Sequence, residues 1–168
     1  RLVSSARKPV AGSIPFAGDD MVYVLPYAYA NTPEGYEAAG AALTSPLATT
    51  EANILKGQEI YERMCSQCHG IEGSGDGALS VNGHIQGIPS YSEKLKDLPE
   101  GKMFHTLTHG KGLMGSHASQ VSKKERWLVI EYIKVLQSGG EMPTFDEDGN
   151  VVEPVDGAEG AEATSMNS

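Results

Sequence analysis

Two cysteines, a histidine and a methionine carry the chemistry this sequence can do. Cys65 and Cys68 are its only cysteines, and they stand within Met64-Cys65-Ser66-Gln67-Cys68-His69-Gly70. Residues three apart share one face of a helical turn. Two thiols and the next imidazole can therefore meet one flat group, and Cys-x-x-Cys-His is the attachment signal for covalent c-type haem. Cys65 and Cys68 would form thioethers to the vinyl groups and His69 would supply the proximal nitrogen. The alternatives fit less well. A structural zinc site needs four protein ligands and there is no second cysteine pair, while a thioredoxin-like motif should follow a strand.

A second ligand is expected from Gly110-Lys111-Gly112-Leu113-Met114-Gly115-Ser116-His117, where three glycines force a loop around Met114. A thioether on such a loop can approach the open side of a haem. Without a haem, Met114 would read as core filler. His84, His105, His109 and His117 compete for the role, each more often a surface or hydrogen-bonded group than a ligand. Met103 falls on an apolar helical face and reads as core.

The elements that must position these groups follow from the pattern. Thr49 and Thr50 can cap a helix over 51–67, whose Ile54, Tyr61, Met64 and Cys68 recur at helical spacing. Gly57 lies on that face, where a helical glycine marks close helix contact. After His69, Gly70, Gly73, Gly75 and Gly77 surround Asp76 in a loop that lets backbone pass near a flat macrocycle; no strand precedes it, as phosphate binding would require. The spacing predicts a loop over 80–100 with a short helix at 92–98, then a helix over 102–109. Ser122 and Glu125 form a capping box for a closing helix with Trp127, Ile130, Ile133 and Leu136 on one face, stopped by Gly139 and Gly140. That helix should cross the first one near Gly57.

The flanks differ in composition. Five of nine prolines (Pro9, Pro15, Pro26, Pro33 and Pro46) fall in the first 46 residues, which forbids a continuous helix and predicts an extended arm over 1–48. Its apolar stretch from Met21 to Tyr29 either wraps the haem domain or lies on a partner subunit, with tyrosines as anchors. Glu34 to Leu43 is alanine-rich and can make a short helix. The haem domain spans 49–140. Net charge is −9, yet eight of the 22 acidic residues sit in 141–168, where there is no lysine or arginine. The body is nearly neutral and the tail is acidic, either docking a basic partner or solvated. Such a chain lacks the basic surface that phosphate binding requires, which argues against nucleic acid as a partner.

Residues 50 to 138 resemble a class I monohaem cytochrome c. Gly57 and Tyr61, the Cys65 to Gly70 motif, Gly73-x-Gly75-Asp76-Gly77, the Met114 loop, Arg126-Trp127 and Val129-x-x-Tyr132 carry the resemblance. It implies an all-α fold in which the first and last helices cross at Gly57, Tyr61, Val129 and Tyr132 and loops enclose one haem c. It further implies Met114 as distal ligand and Tyr91, Arg126 or Trp127 as hydrogen-bond donors to the haem propionates. One departure is Gly115, where the family often has proline after the ligand. The arm, taken with the pattern from Lys102 to Gln137, is similar to that of the monohaem cytochrome subunit of bacterial alternative complex III, a quinol-oxidising membrane assembly. That resemblance implies partner subunits in a respiratory membrane complex and a redox partner that is a multihaem cytochrome, a soluble cytochrome or a terminal oxidase.

With two axial ligands the iron has no vacant position, so electron transfer is expected and no residue acts as acid, base or nucleophile. Among electron carriers, a free periplasmic shuttle or a cytochrome subunit of another oxidoreductase competes with the respiratory subunit, which the apolar arm favours; a haem enzyme or a gas sensor would need an open distal site. Haem attachment implies maturation outside the cytoplasm, so the expected location is the periplasmic side of a bacterial membrane. No stretch approaches the roughly 20 apolar residues of a membrane span. Arg1 is not an initiator methionine, and the expectation is a mature or trimmed chain whose export signal, and any anchor, lay upstream.

Overall fold

A side-chain cap starts three of the described helices. In the computed structural model, which describes residues 10, 12, 13, 26–147, 149, 151 and 152, the Thr32 hydroxyl accepts from the Gly35 N–H and opens α1, Pro33–Ala42. Thr50 does the same for Asn53 at the head of α2, Glu51–Met64. The capping box is present in full at α6, Lys123–Gln137: Ser122 accepts from the Glu125 N–H, and the Glu125 carboxylate accepts from the Ser122 N–H at 2.8 Å. Between them lie two single-turn helices, α3 (Ser66–His69) and α4 (Ala78–Val81), and the longer α5, Glu100–His109. Among the described residues there is no strand, only isolated bridges between Lys111 and Met114 and between Phe145 and Val151. The all-α expectation holds.

The core is built where α2 crosses α6. A Cβ at Gly57 would overlap the Leu128 carbonyl oxygen and press the Tyr132 Cβ, so glycine alone lets the two backbones meet. Ile54, Tyr61, Val129 and Ile130 are sealed around that contact. The Tyr61 ring sits edge-on to Tyr132 at 5.2 Å, and its hydroxyl donates to the Gly70 carbonyl at 2.8 Å. The crossing thus fixes the start of the loop that follows the cysteine motif. Helix α5 packs against α6 through Phe104 stacked on Trp127 at 4.4 Å.

Two helix boundaries depart from expectation. Helix α2 stops at Met64 instead of running to 67, because the Ser66 hydroxyl takes the Glu62 carbonyl and the Cys68 N–H turns back to Cys65. The helix over 92–98 does not form; those residues make successive turns. Gln137 on α6 donates to the Leu95 and Leu98 carbonyls, and Pro99 disfavours helical geometry at Leu98.

The segment before α2 is tied to the body by polar groups. Thr49 donates to Glu131 at 2.9 Å and the Ser45 N–H to Glu100 at 3.0 Å; Lys134 stands 3.6 to 3.7 Å from both carboxylates. Of the arm's apolar stretch, Met21 to Leu25 lie outside the described residues. The described end packs on this chain: the Tyr27 ring lies 5.6 Å from Phe104 and 5.5 Å from His109. The acidic tail beyond residue 152 lies outside the described residues.

Candidate haem site

Three short pieces of chain converge on one cavity. Helix α3 delivers Cys68 and His69, the 85–91 segment delivers Ile88, Pro89 and Tyr91, and the loop after α5 delivers Leu113 and Met114. The cavity has a volume of about 440 Å³, inside the range of small-molecule sites. Leu95, Leu98, Met103, Leu107 and Ile133 give it an apolar floor. Met103 therefore serves both the core and the cavity wall.

The cysteine motif is placed by its own hydrogen bonds. The His69 N–H donates to the Cys65 carbonyl at 2.9 Å, closing one helical turn that brings Cys65, Cys68 and His69 together. Cys65 is buried and Cys68 half-buried, both as free thiols. Burial, followed by the Cys68 charge, pushes the Cys65 thiol up to about 12. His69 is pulled down to about 4, first by burial and then by His117. A neutral imidazole is the form that binds a metal. The His69 ring stacks on Tyr91 at 5.0 Å, and its Nδ1 is buried with no hydrogen-bond partner. Burial drives the Tyr91 hydroxyl well above its ordinary value, so it stays protonated.

The competing histidines are engaged elsewhere. The Tyr27 hydroxyl and His105 Nδ1 are 3.0 Å apart, His109 Nε2 is 3.1 Å from the Tyr29 carbonyl oxygen, and His117 Nδ1 is 3.0 Å from the Gly115 carbonyl oxygen. None of these three, nor exposed His84, lines the cavity.

Arg126 and Trp127, expected at the propionates, are not brought to the cavity. Arg126 is buried and donates to the Val121 carbonyl at 3.0 Å and to the Thr108 hydroxyl at 2.7 Å. Trp127 stacks on Phe104 beside a second hollow under Pro26 and Tyr27. The sequence could not tell which side of α6 faces the cavity, because nearly every residue from 126 to 136 is buried. Conversely, Tyr36 of α1, Thr106 and Lys111 line the cavity and were not foreseen. No motif marks them: Tyr36 reaches the cavity only through the docking of α1, and Thr106 and Lys111 through the placement of α5 and its loop.

Residues 52–133 match the family described as cytochrome C oxidase, cbb3-type, subunit III. A solved chain of the Kuenenia stuttgartiensis reducing HAO-like protein complex is similar at 29% identity and a TM-score of 0.48, over 54% of this chain and 46% of that one. This chain thus spans less than half the length of that relative. Cytochrome cL from Hyphomicrobium denitrificans is similar at 24% identity and a TM-score of 0.41, covering 71% of this chain and 67% of that one. Cytochrome cL from Methylophaga aminisulfidivorans gives 19% identity and a TM-score of 0.40, over 50% and 53% of the two chains. No curated protein matches.

Over residues 52–133, just under half of the chain, the sequence matches a cytochrome c family domain. The domain carries covalent haem c, and the residues present fit that group: two free thiols on one turn, a neutral imidazole with an orphaned nitrogen, and an apolar cavity lined by Cys68, His69 and Met114, with Cys65 buried on the same turn but outside the lining. Among the described residues no helix is long and apolar enough to cross a membrane.

Proposed function

We propose that this chain carries single electrons on one haem held by His69 and Met114, as the monohaem cytochrome subunit of a quinol-oxidising membrane assembly of the alternative complex III kind. The observation that carries the coordination is that His69 and Met114 line one apolar cavity which His84, His105, His109 and His117 do not enter. Haem iron with both axial positions filled supplies one reversible single-electron step. This chain's residues do the rest. Cys65 and Cys68 attach the group, His69 and Met114 hold the iron, and Leu95, Leu98, Leu107 and Ile133 exclude water. Tyr91 sets the orientation of the His69 ring by stacking on it. The soft thioether favours ferrous iron and so raises the potential.

The optical spectrum of the oxidised protein tests the coordination. A weak long-wavelength band from sulfur-to-iron charge transfer, lost in Met114→Ala, is the expected result. Its absence from the unaltered protein rules the methionine ligand out.

The placement in a quinol-oxidising complex rests on the proline-rich arm and on the pattern from Lys102 to Gln137. Its donor would be a multihaem cytochrome subunit, and its acceptor a soluble cytochrome or terminal oxidase on the periplasmic side. Deleting residues 1–25, which leaves the packed Tyr27 and α1 intact, should release the cytochrome from membranes with its spectrum unchanged. Retention on the membrane sinks this role for the arm. A second reading, a cytochrome subunit of a terminal oxidase, is favoured by the family matched over 52–133. The subunits that co-purify with the intact protein separate the two.

A further inference from the structure

The loop that carries Met114 is poorly equipped to hold itself. Gly110, Gly112 and Gly115 punctuate it, Leu113 is 82% exposed, and a Cβ at Gly112 or Gly115 would meet nothing. Its base is fastened by Ser116 donating to the Thr108 carbonyl at 2.6 Å and by the His117 N–H donating to Leu107 at 3.0 Å. Its tip is closed on itself, with Lys111 and Met114 exchanging backbone hydrogen bonds at 2.9 and 3.0 Å. These bonds set the loop's shape and fasten its base, and none of them ties the tip between Lys111 and Met114 to another element.

The Lys111 side chain supplies a tie to another element. Its ammonium lies 3.8 Å from the centroid of the Tyr36 ring, well within cation–π range. That ring is itself fixed. His105 meets it edge-on at 5.6 Å, and Lys102 approaches it at 5.1 Å while ion-paired with Glu37 at 2.7 Å. Helix α1 sits directly on α5, with Gly101 against the Ala39 carbonyl. Tyr36, Lys111 and Met114 line the same cavity, yet Tyr36 lies outside residues 52–133.

We propose that Tyr36 is a positioning residue for the haem ligand: through Lys111 it clamps the 110–116 loop and keeps Met114 over the cavity. Because Lys111 and Met114 are paired through their backbones, holding Lys111 holds Met114. This inference rests on the reading of Met114 as the distal ligand. The clamp would supply the restraint that Gly115 removes.

Competition for the iron reads the clamp directly. Imidazole is titrated into the ferric full-length holoprotein and its affinity compared among the unaltered chain, Tyr36→Phe, Tyr36→Leu, Lys111→Met and the Tyr36→Leu/Lys111→Met double variant. Tyr36→Leu and Lys111→Met should each raise imidazole affinity roughly two- to five-fold, the range that a cation–π contact implies. Tyr36→Phe keeps the ring and should match the unaltered protein, and the double variant should exceed neither single one. Lys111 is exposed, so its replacement leaves the fold intact. If the unaltered protein shows the sulfur-to-iron band but Lys111→Met leaves imidazole affinity unchanged, or the two substitutions add, the clamp is overturned while the ligand stands. If the band is absent to begin with, the ligand reading has failed and the clamp with it.

Discussion

Met114 is where one side chain decides most. Of the thioethers lining the cavity, Met103 is also packed into the core, and Met114 on its loop is the proposed partner of His69; replacing it with a methyl group would leave one axial position unfilled. In Met114→Ala the reduction potential should fall, because ferric iron loses a partner that favours its reduced state, and the ferrous protein should acquire carbon monoxide binding. Redox titration and a carbon monoxide difference spectrum measure the two effects. The ligand motif was legible in the sequence because covalent attachment demands two thiols and an imidazole within five residues. Its setting was less so. Arg126 and Trp127 have the right chemistry for a propionate, but the Thr108 hydroxyl and the Phe104 ring claim them. Lys111 and Tyr36, which do line the cavity, carry no local signature.

The helices bring those side chains together, and their energetics separate propensity from packing. Alanine is better than glycine in a helix by about 1 kcal/mol, so Gly57→Ala should stabilise an isolated α2. In the folded protein it should cost a net ~1–3 kcal/mol, since the added methyl collides with the Leu128 backbone, which cannot swing aside. Urea denaturation of the holoprotein decides the sign. Helix α5 adds a pH effect. Burial, then His109 and then Lys111 hold His105 below its ordinary pKa, while Tyr27 and Tyr36 pack on its other sides. The unfolded chain then binds more protons near pH 6 than the folded one. Stability present above the unfolded pKa of about 6.5 falls as the pH drops below it. The fall in thermal midpoint from about pH 7.5 to about pH 5.5 should be smaller in His105→Gln than in the unaltered protein. Helix starts were readable here because caps are local: Thr50 and the Ser122–Glu125 box each act within three residues. The missing helix at 92–98 was not, because Gln137, some forty residues away, takes its carbonyls.

At the scale of the whole molecule the arm and the haem domain are coupled. Composition suggests a boundary at residue 48, yet Tyr27 packs on α5, the Ser45 N–H bonds to Glu100, and Tyr36 forms part of the cavity. Those contacts come from different positions in a proline-rich stretch with no single periodicity, which is why the sequence left its docking open. Two truncations of the holoprotein separate the parts. Removal of residues 1–25 spares every one of these contacts, and the visible spectrum and the imidazole affinity should stay as they are. Removal of residues 1–48 strips Tyr36 from the cavity and Tyr27 from His105, baring apolar surface on Phe104 and Trp127. The thermal midpoint should drop and imidazole should bind the ferric iron more tightly than in either Tyr36→Leu or Lys111→Met, because the whole wall is lost along with the clamp. Equal behaviour of the two truncations would mean that the haem domain is complete without α1, and that the aromatic contacts across residue 48 contribute nothing to holding Met114 in place.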